Sequence, residues 1–190
     1  MILSISGKKR AGKSTVTDYI NRRYGFLEMS WAYPLKEIIG KQIFGFTQEQ
    51  IYGSTAERER IIPEWSMSSR QILQKVGTDM FRNNIDKDIW VKWGLRYIDS
   101  TLSRLENSIV VSDTRFPNEL EGLRKFSEEK KITFASMNIV RKGLVSEDTH
   151  ASENALEGYA FDYTIEGGDG ELQLLFNQVE SILSEIRRCH

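Results

Sequence analysis

Residues 7 to 14 read GKKRAGKS, which satisfies the pattern G-x-x-x-x-G-K-[ST] in full. The segment Ile2 to Ser6 before it is short and apolar, and Val16, Tyr19 and Ile20 after it recur at helical spacing. The pattern therefore falls on a strand, a glycine turn and a helix start. That context dictates a local chemistry. Backbone N–H groups of such a loop and of the helix that follows converge on phosphate oxygens. Lys13 brings a mobile point charge for β- and γ-phosphates, the Ser14 hydroxyl a ligand for Mg²⁺, and Thr15 a donor to the α-phosphate. Gly7, Lys9, Arg10, Ala11, Gly12, Lys13, Ser14 and Thr15 are thus the expected nucleotide contacts of a P-loop (Walker A) segment. By average residue usage, chance would give the pattern to a chain of this length roughly 1% of the time.

Composition narrows the rest. With 39% apolar and 28% charged residues the 190-residue chain can bury a core without disulfides, as one globular domain. The 26 Lys and Arg against 27 Asp and Glu give a net charge of −1, so no whole-chain field draws it to nucleic acid or an anionic membrane. One cysteine, Cys189, and two histidines, His150 and His190, cannot build a disulfide framework or a Cys/His zinc site. A reducing, cytoplasmic compartment is expected, and neither a signal peptide nor an apolar run near 18 residues is read.

Along the chain, Phe26 to Ser30 reads as a second strand, and Pro34 opens a helix with an apolar stripe of Leu35, Ile38, Ile39 and Ile43, ending near Gly45. Residues 46 to 67, with the solvated run ERER at 57–60, read as a mobile connection with one helical turn at 47–52. Ser69 is the expected cap of a helix carrying Ile72, Leu73, Val76, Met80 and Phe81. Asp86 is the expected cap of another with Trp90, Trp93, Tyr97 and Leu105. Strands are expected at Ser108–Ser112, Ile132–Val140 and Asp162–Glu166, with helices from Pro117 and from Leu172 onward. This alternation predicts an α/β fold with about five parallel strands flanked by helices.

Two residues outside the glycine loop carry chemistry. Asp113, after the buried strand SIVVS, stands where a Walker-B-type acid would hold Mg²⁺ beside the loop, and Arg115 can grip an acceptor phosphate bidentately. Neither an N-K-x-D segment nor a D-x-x-G after the third strand is present, which argues against a signalling GTPase. Small-molecule phosphotransfer remains.

Several segments together resemble the bacteriophage deoxynucleoside monophosphate kinases: GKKRAGKST at 7–15, PLKE at 34–37, SRQILQKVGTDMFR at 69–82, Trp90, VVSDTRFPNE at 110–119 and HASE at 150–153. The resemblance implies a P-loop NTPase fold of the nucleoside-monophosphate-kinase type, with core segments 1–33, 106–140 and 158–190. It also implies a helical acceptor-binding insertion at 34–105 and a lid at 141–157. Arg70, Gln74, Gly77 and Thr78 then line the acceptor site with Trp90 beside it, Arg82 ranking lower. Arg70, Gln74 and Thr78 also follow i, i+4, i+8 spacing on one helical face. Asp113, Arg115 and Glu119 take metal, acceptor-phosphate and sugar or network roles. Arg141 and Lys142 stand where such kinases place lid cations, and His150, Ser152 and Glu153 fall in the lid. The EGGDG loop at 166–170 would border adenine through its backbone, leaving its side chains uninformative.

The implied reaction is in-line transfer of the γ-phosphoryl group of ATP, with Mg²⁺, to a deoxynucleoside monophosphate. No covalent intermediate is needed. A phage setting would make the compartment the host cytoplasm. The chain is shorter than the phage enzymes, so it should lack some of their insertions. Animal-type phosphomevalonate kinases share the P-loop type, PLKE and VSDTR; SRQILQKVGTDMFR favours nucleotides. A kinase for modified bases in DNA is a third reading, weakly opposed by the near-zero charge. Whether two copies form a homodimer is left open by the sequence.

Overall fold

The computed structural model describes residues 1–105, 107–144 and 154–188. His150, Ser152, Glu153, Cys189 and His190 lie outside them. The described chain forms two compact units, Met1–Ser30 with Gly94–His190, and Trp31–Trp93.

The first unit holds a five-stranded sheet in the order β2–β5–β1–β6–β7, with strands β1 (Ile2–Ser6), β2 (Leu27–Met29), β5 (Ile109–Val111), β6 (Phe134–Arg141) and β7 (Tyr163–Gly167). Every pairing in it is parallel. Helix α1 (Lys13–Tyr24) leaves β1, α8 (Pro117–Lys130) leaves β5, and α9 (Leu172–Arg188) follows β7. Central β1 is buried along its whole length, as a parallel strand covered on both faces must be. Leu3 and Ile5 pack with Val16 and Ile20 of α1 and with Val179 and Leu183 of α9. Ile2 and Ser4 alternate to the other face. Pro117 occupies the first turn of α8, where its missing N–H costs nothing.

The second unit is built of short helices: α2 (Leu35–Ile43), α3 (Gln48–Tyr52), α4 (Thr55–Glu59) and α5 (Ser69–Gln74), which runs on into α6 (Lys75–Asn83). A two-residue antiparallel ribbon, β3 (Ile61–Ile62) with β4 (Met67–Ser68), precedes α5. Its core is Phe46, Ile51, Ile72, Leu73 and Val76, with Leu35, Ile39, Phe44 and Phe81 against it. Helix α7 (Ile89–Leu102) follows. Among the described residues no helix is long and apolar enough to cross a membrane.

The structure corrects several expectations. Residues 46–67 are ordered by local caps: Thr47 with Gln50, and Ser54 with Glu57, each close a reciprocal capping box, so the ERER run begins inside a helix. Ser68, with Gln71, caps α5, whereas Ser69 is its first residue, fully buried, its hydroxyl donating to the carbonyl of Arg58 at 3.2 Å. Ile38 and Ile43 of the proposed stripe are exposed. Helix α2 is a π-helix, as in the Phe44 N–H to Ile39 C=O bond. That wider turn brings Leu35, Ile39, Gly40 and Phe44 to one face and turns Ile38 and Ile43 away. On α7 the buried positions are Val91, Gly94 and Ile98, while Tyr97 is exposed and Leu105 lies beyond the helix end.

Candidate phosphate-binding site

Central β1 sends its crossover to β2 on one side, and β6 connects to β7 on the other. In an open α/β sheet a crevice forms where connections diverge, outside the carboxyl ends of the strands. A cleft of about 320 Å³ opens there, lined by Gly7, Lys8 and Ala11, by Asn138–Arg141, by Thr114 and Arg115, and by Tyr159 and Phe161.

The glycine loop turns sharply to reach α1. Gly7 has φ of 141°, and a Cβ on it would stand 2.5 Å from the carbonyl oxygen of Ile139, so only glycine lets β6 come this close. Gly12, also at positive φ, precedes α1, whose first N–H groups receive no side-chain cap. Such a helix start offers its N–H groups and dipole to an anion. Lys13 Nζ donates to the carbonyls of Gly7 (2.6 Å) and Lys8 (2.9 Å), lying back over the loop. Arg10 takes φ of 66°, and Ser14 and Thr15 are exposed on the first turn of α1.

The strand β5 delivers the DTR segment beside this loop. Its pairing matches Ser4 with Val111, and Thr114 N–H donates to Ile5 C=O at 3.2 Å. Buried Thr114 also shares a 2.7 Å hydroxyl–hydroxyl bond with buried Ser4. Asp113 accepts a 2.7 Å bond from the Ser30 hydroxyl. Glu119, expected in a sugar or network role, is buried and its Oε2 accepts from the N–H groups of Arg115 (2.8 Å) and Phe116 (3.0 Å). Its carboxylate thus caps α8 and holds Arg115's backbone.

Arg141, the last residue of β6, donates to the Arg10 carbonyl at 3.1 Å and pairs with the Asp169 carboxylate. The EGGDG loop thus supplies a carboxylate partner to Arg141 through Asp169. Lys142 pairs with Glu171 at 3.6 Å, and Lys8 with Glu157 at 2.7 Å.

In the second unit, Arg70 is mostly covered and its Nε lies 3.9 Å from Glu59. Gln74 and Thr78 are half-buried. The i, i+4, i+8 alignment does not carry across them, because hydrogen bonding changes to the π pattern at Lys75. Gly77 is buried, a Cβ there would stand 2.6 Å from Leu35 Cδ2, and its carbonyl accepts from the Trp90 indole at 3.0 Å. Trp90 also packs on Phe81, ring centroids 5.4 Å apart. Both therefore have structural tasks in this unit.

Ser14 and Asp113 offer a hydroxyl and a carboxylate, hard oxygen donors that suit Mg²⁺, a cation that keeps waters and shares phosphate oxygens. Among the described residues no cluster of three His, Cys, Asp or Glu could serve as an all-protein cage. The donor set fits a cation brought in with its phosphates. Sequence reasoning missed Ser30, Ser4, Glu157 and Asp169, because each meets its partner through strand order or a loop approach that no local spacing encodes.

A family model described as deoxynucleotide monophosphate kinase matches residues 40–179. A protein of Acanthamoeba polyphaga mimivirus named for that activity is 34% identical over 162 residues, 80% of each chain. The deoxynucleotide monophosphate kinase of Enterobacteria phage T4 is 24% identical, covering 96% of this chain and 98% of its own. That alignment runs over 246 positions, so the phage protein carries insertions this chain lacks. The crystal structure of TT1252 from Thermus thermophilus superposes with a TM-score of 0.54 at 18% identity, over 97% of each chain, and shares the fold.

Proposed function

The chain belongs to the deoxynucleotide monophosphate kinase family, and from that membership we propose that it transfers the γ-phosphoryl group of ATP to the 5′-phosphate of a deoxynucleoside monophosphate. The observation that supports this most directly is the shared cleft: Arg115 and Arg141 line the same crevice as Gly7 and Lys8 of the glycine loop. Cations and backbone donors are what phosphoryl transfer asks of a protein.

In this reading the backbone of residues 7–15 and the Lys13 ammonium hold the triphosphate. Lys13 exchanges the carbonyls of Gly7 and Lys8 for phosphate oxygens. Ser14 and Asp113 hold Mg²⁺, which when bound neutralises phosphate charge. Arg115 grips the acceptor phosphate, and Arg70, Gln74, Thr78 and Trp90 contribute to acceptor recognition. An acceptor oxygen forms the new bond to γ-phosphorus as the bond to the β-phosphate bridging oxygen breaks, and ADP leaves with that electron pair. The acceptor phosphate is already ionised, so no general base is required. The chain's work is orientation, charge compensation by Arg115 and Arg141, and exclusion of water.

The test is ATP consumption across dAMP, dCMP, dGMP, dTMP, the matching ribonucleotides, phosphomevalonate and duplex DNA. Turnover with at least one deoxynucleotide is expected. Turnover with phosphomevalonate or DNA alone, or with none of these acceptors, overturns the reading.

A further inference from the structure

Strand β2 ends beside β5 in parallel register, Met29 opposite Val111, and the ladder continues one residue past β5 through the Ser112 N–H to Met29 C=O bond of 3.0 Å. The next residue on β2's side is Ser30, and its hydroxyl donates to Asp113 Oδ2 at 2.7 Å. An ionised carboxylate has no proton to give, so the direction of this bond is fixed. We propose that Ser30 is a positioning residue that sets the orientation of the Asp113 carboxylate for metal binding; this rests on the reading of Asp113 as a Mg²⁺ ligand.

The physical need is specific. Rotation of an aspartate carboxylate about its last side-chain bond is broad and weakly structured. A ligand to a cation gains from having that rotation fixed beforehand, and hydrogen bonds to ligating carboxylates do this. A neutral hydroxyl holds the oxygen without cancelling its charge, as a Lys or Arg in the same place would. The donor also follows directly on a separate strand, β2, which is tied to β5 by backbone bonds, so the hydroxyl is held from the sheet's side and not by the DTR loop's own residues.

The experiment measures Mn²⁺ binding by electron paramagnetic resonance in the presence of ADP, alongside the half-saturating Mg²⁺ concentration for turnover and the thermal melt. Ser30→Ala should weaken Mn²⁺ binding by about tenfold or more, the usual consequence of losing such an outer partner, and raise the Mg²⁺ requirement in parallel. Ser30→Thr should restore both, whereas Ser30→Val, of the same shape without the hydroxyl, should not. That Thr/Val pair keeps the test decisive even if alanine lowers the melt. In an Asp113→Asn background, Ser30→Ala should add no further loss. Unchanged Mn²⁺ affinity in Ser30→Ala beside a loss in Asp113→Asn overturns the proposal and leaves Asp113 a ligand. Equal loss in the Thr and Val variants, or an added loss in the Asn background, also overturns it. Unchanged affinity in Asp113→Asn overturns the ligand reading itself, and the proposal with it.

Discussion

The buried carboxylate of Glu119 and the backbone of Arg115 are joined by a 2.8 Å hydrogen bond, and the same oxygen takes the next N–H, that of Phe116. A residue at the start of a helix thus fixes the loop from which an arginine enters the cleft. Glu119→Ala leaves two N–H groups without this acceptor and should cost about 1–3 kcal/mol of stability, read as a lower thermal midpoint. Activity should fall further than stability, through a raised KM for the acceptor. Glu119→Gln keeps an acceptor oxygen and should lose less of both.

Lys13 and Arg115 are expected to act on phosphate rather than on the fold. Lys13 donates to the loop carbonyls of Gly7 and Lys8. Lys13→Ala and Arg115→Ala should each lower ATP-dependent turnover by about two orders of magnitude or more, on the scale of losing one transition-state charge partner, with thermal melts near wild type. Near-normal turnover in either variant would contradict the proposed chemistry.

Two glycines separate by what their missing side chains face. Gly7→Ala sets a methyl 2.5 Å from a backbone oxygen at φ of 141°, so both the loop and β6 must shift. Loss of ATP binding by calorimetry and destabilisation of about 1–3 kcal/mol are expected. At Gly77 the obstacle is the end of the Leu35 side chain, which can rotate. Alanine there also recovers about 1 kcal/mol of helix preference, so Gly77→Ala should stay within about 1 kcal/mol of wild type in denaturant titration.

Asp162 predicts an acid limb. Burial alone would raise its pKa, but bonds from the Ser136 hydroxyl and N–H and from Arg124 outweigh it and hold the carboxyl below the ordinary aspartate value. A depressed folded-state pKa means the stabilisation is present above the unfolded value of about 4 and is lost as pH falls through the folded one. Melts recorded from pH 6 downward should show Asp162→Asn less stable at pH 6 and the gap to wild type closing with acid. A constant gap would contradict this.

The glycine loop, its strand and its helix were legible because all three are encoded within about twenty consecutive residues, and SIVVS and Pro117 were legible for the same reason. Within Trp31–Trp93 the helix after Pro34, the turn at 47–52 and the helix from Ser69 were read, but α4 (Thr55–Glu59) was not, although Ser54–Glu57 is a local signal. Helices of five residues carry too few buried positions to show a period: α3 buries Ile51 and α4 buries none. The π-helical segments defeat a 3.6-residue template outright, which is why Ile38 and Ile43 were assigned inward. At the candidate site, the position of Asp113 and Arg115 just past β5 was legible from the strand SIVVS before them. Ser30 and Ser4 were not, since they meet Asp113 and Thr114 across 83 and 110 residues of chain, and only strand order brings them together.

Three capping boxes, at Thr47, Ser54 and Ser68, start three helices within 22 residues of one another. Each start is written in four consecutive residues and depends on no distant partner. Chain can be gained or lost between one box and the next while every helix still knows where to begin. A family whose members differ in length has, in such punctuation, a place where growth does not erase the grammar.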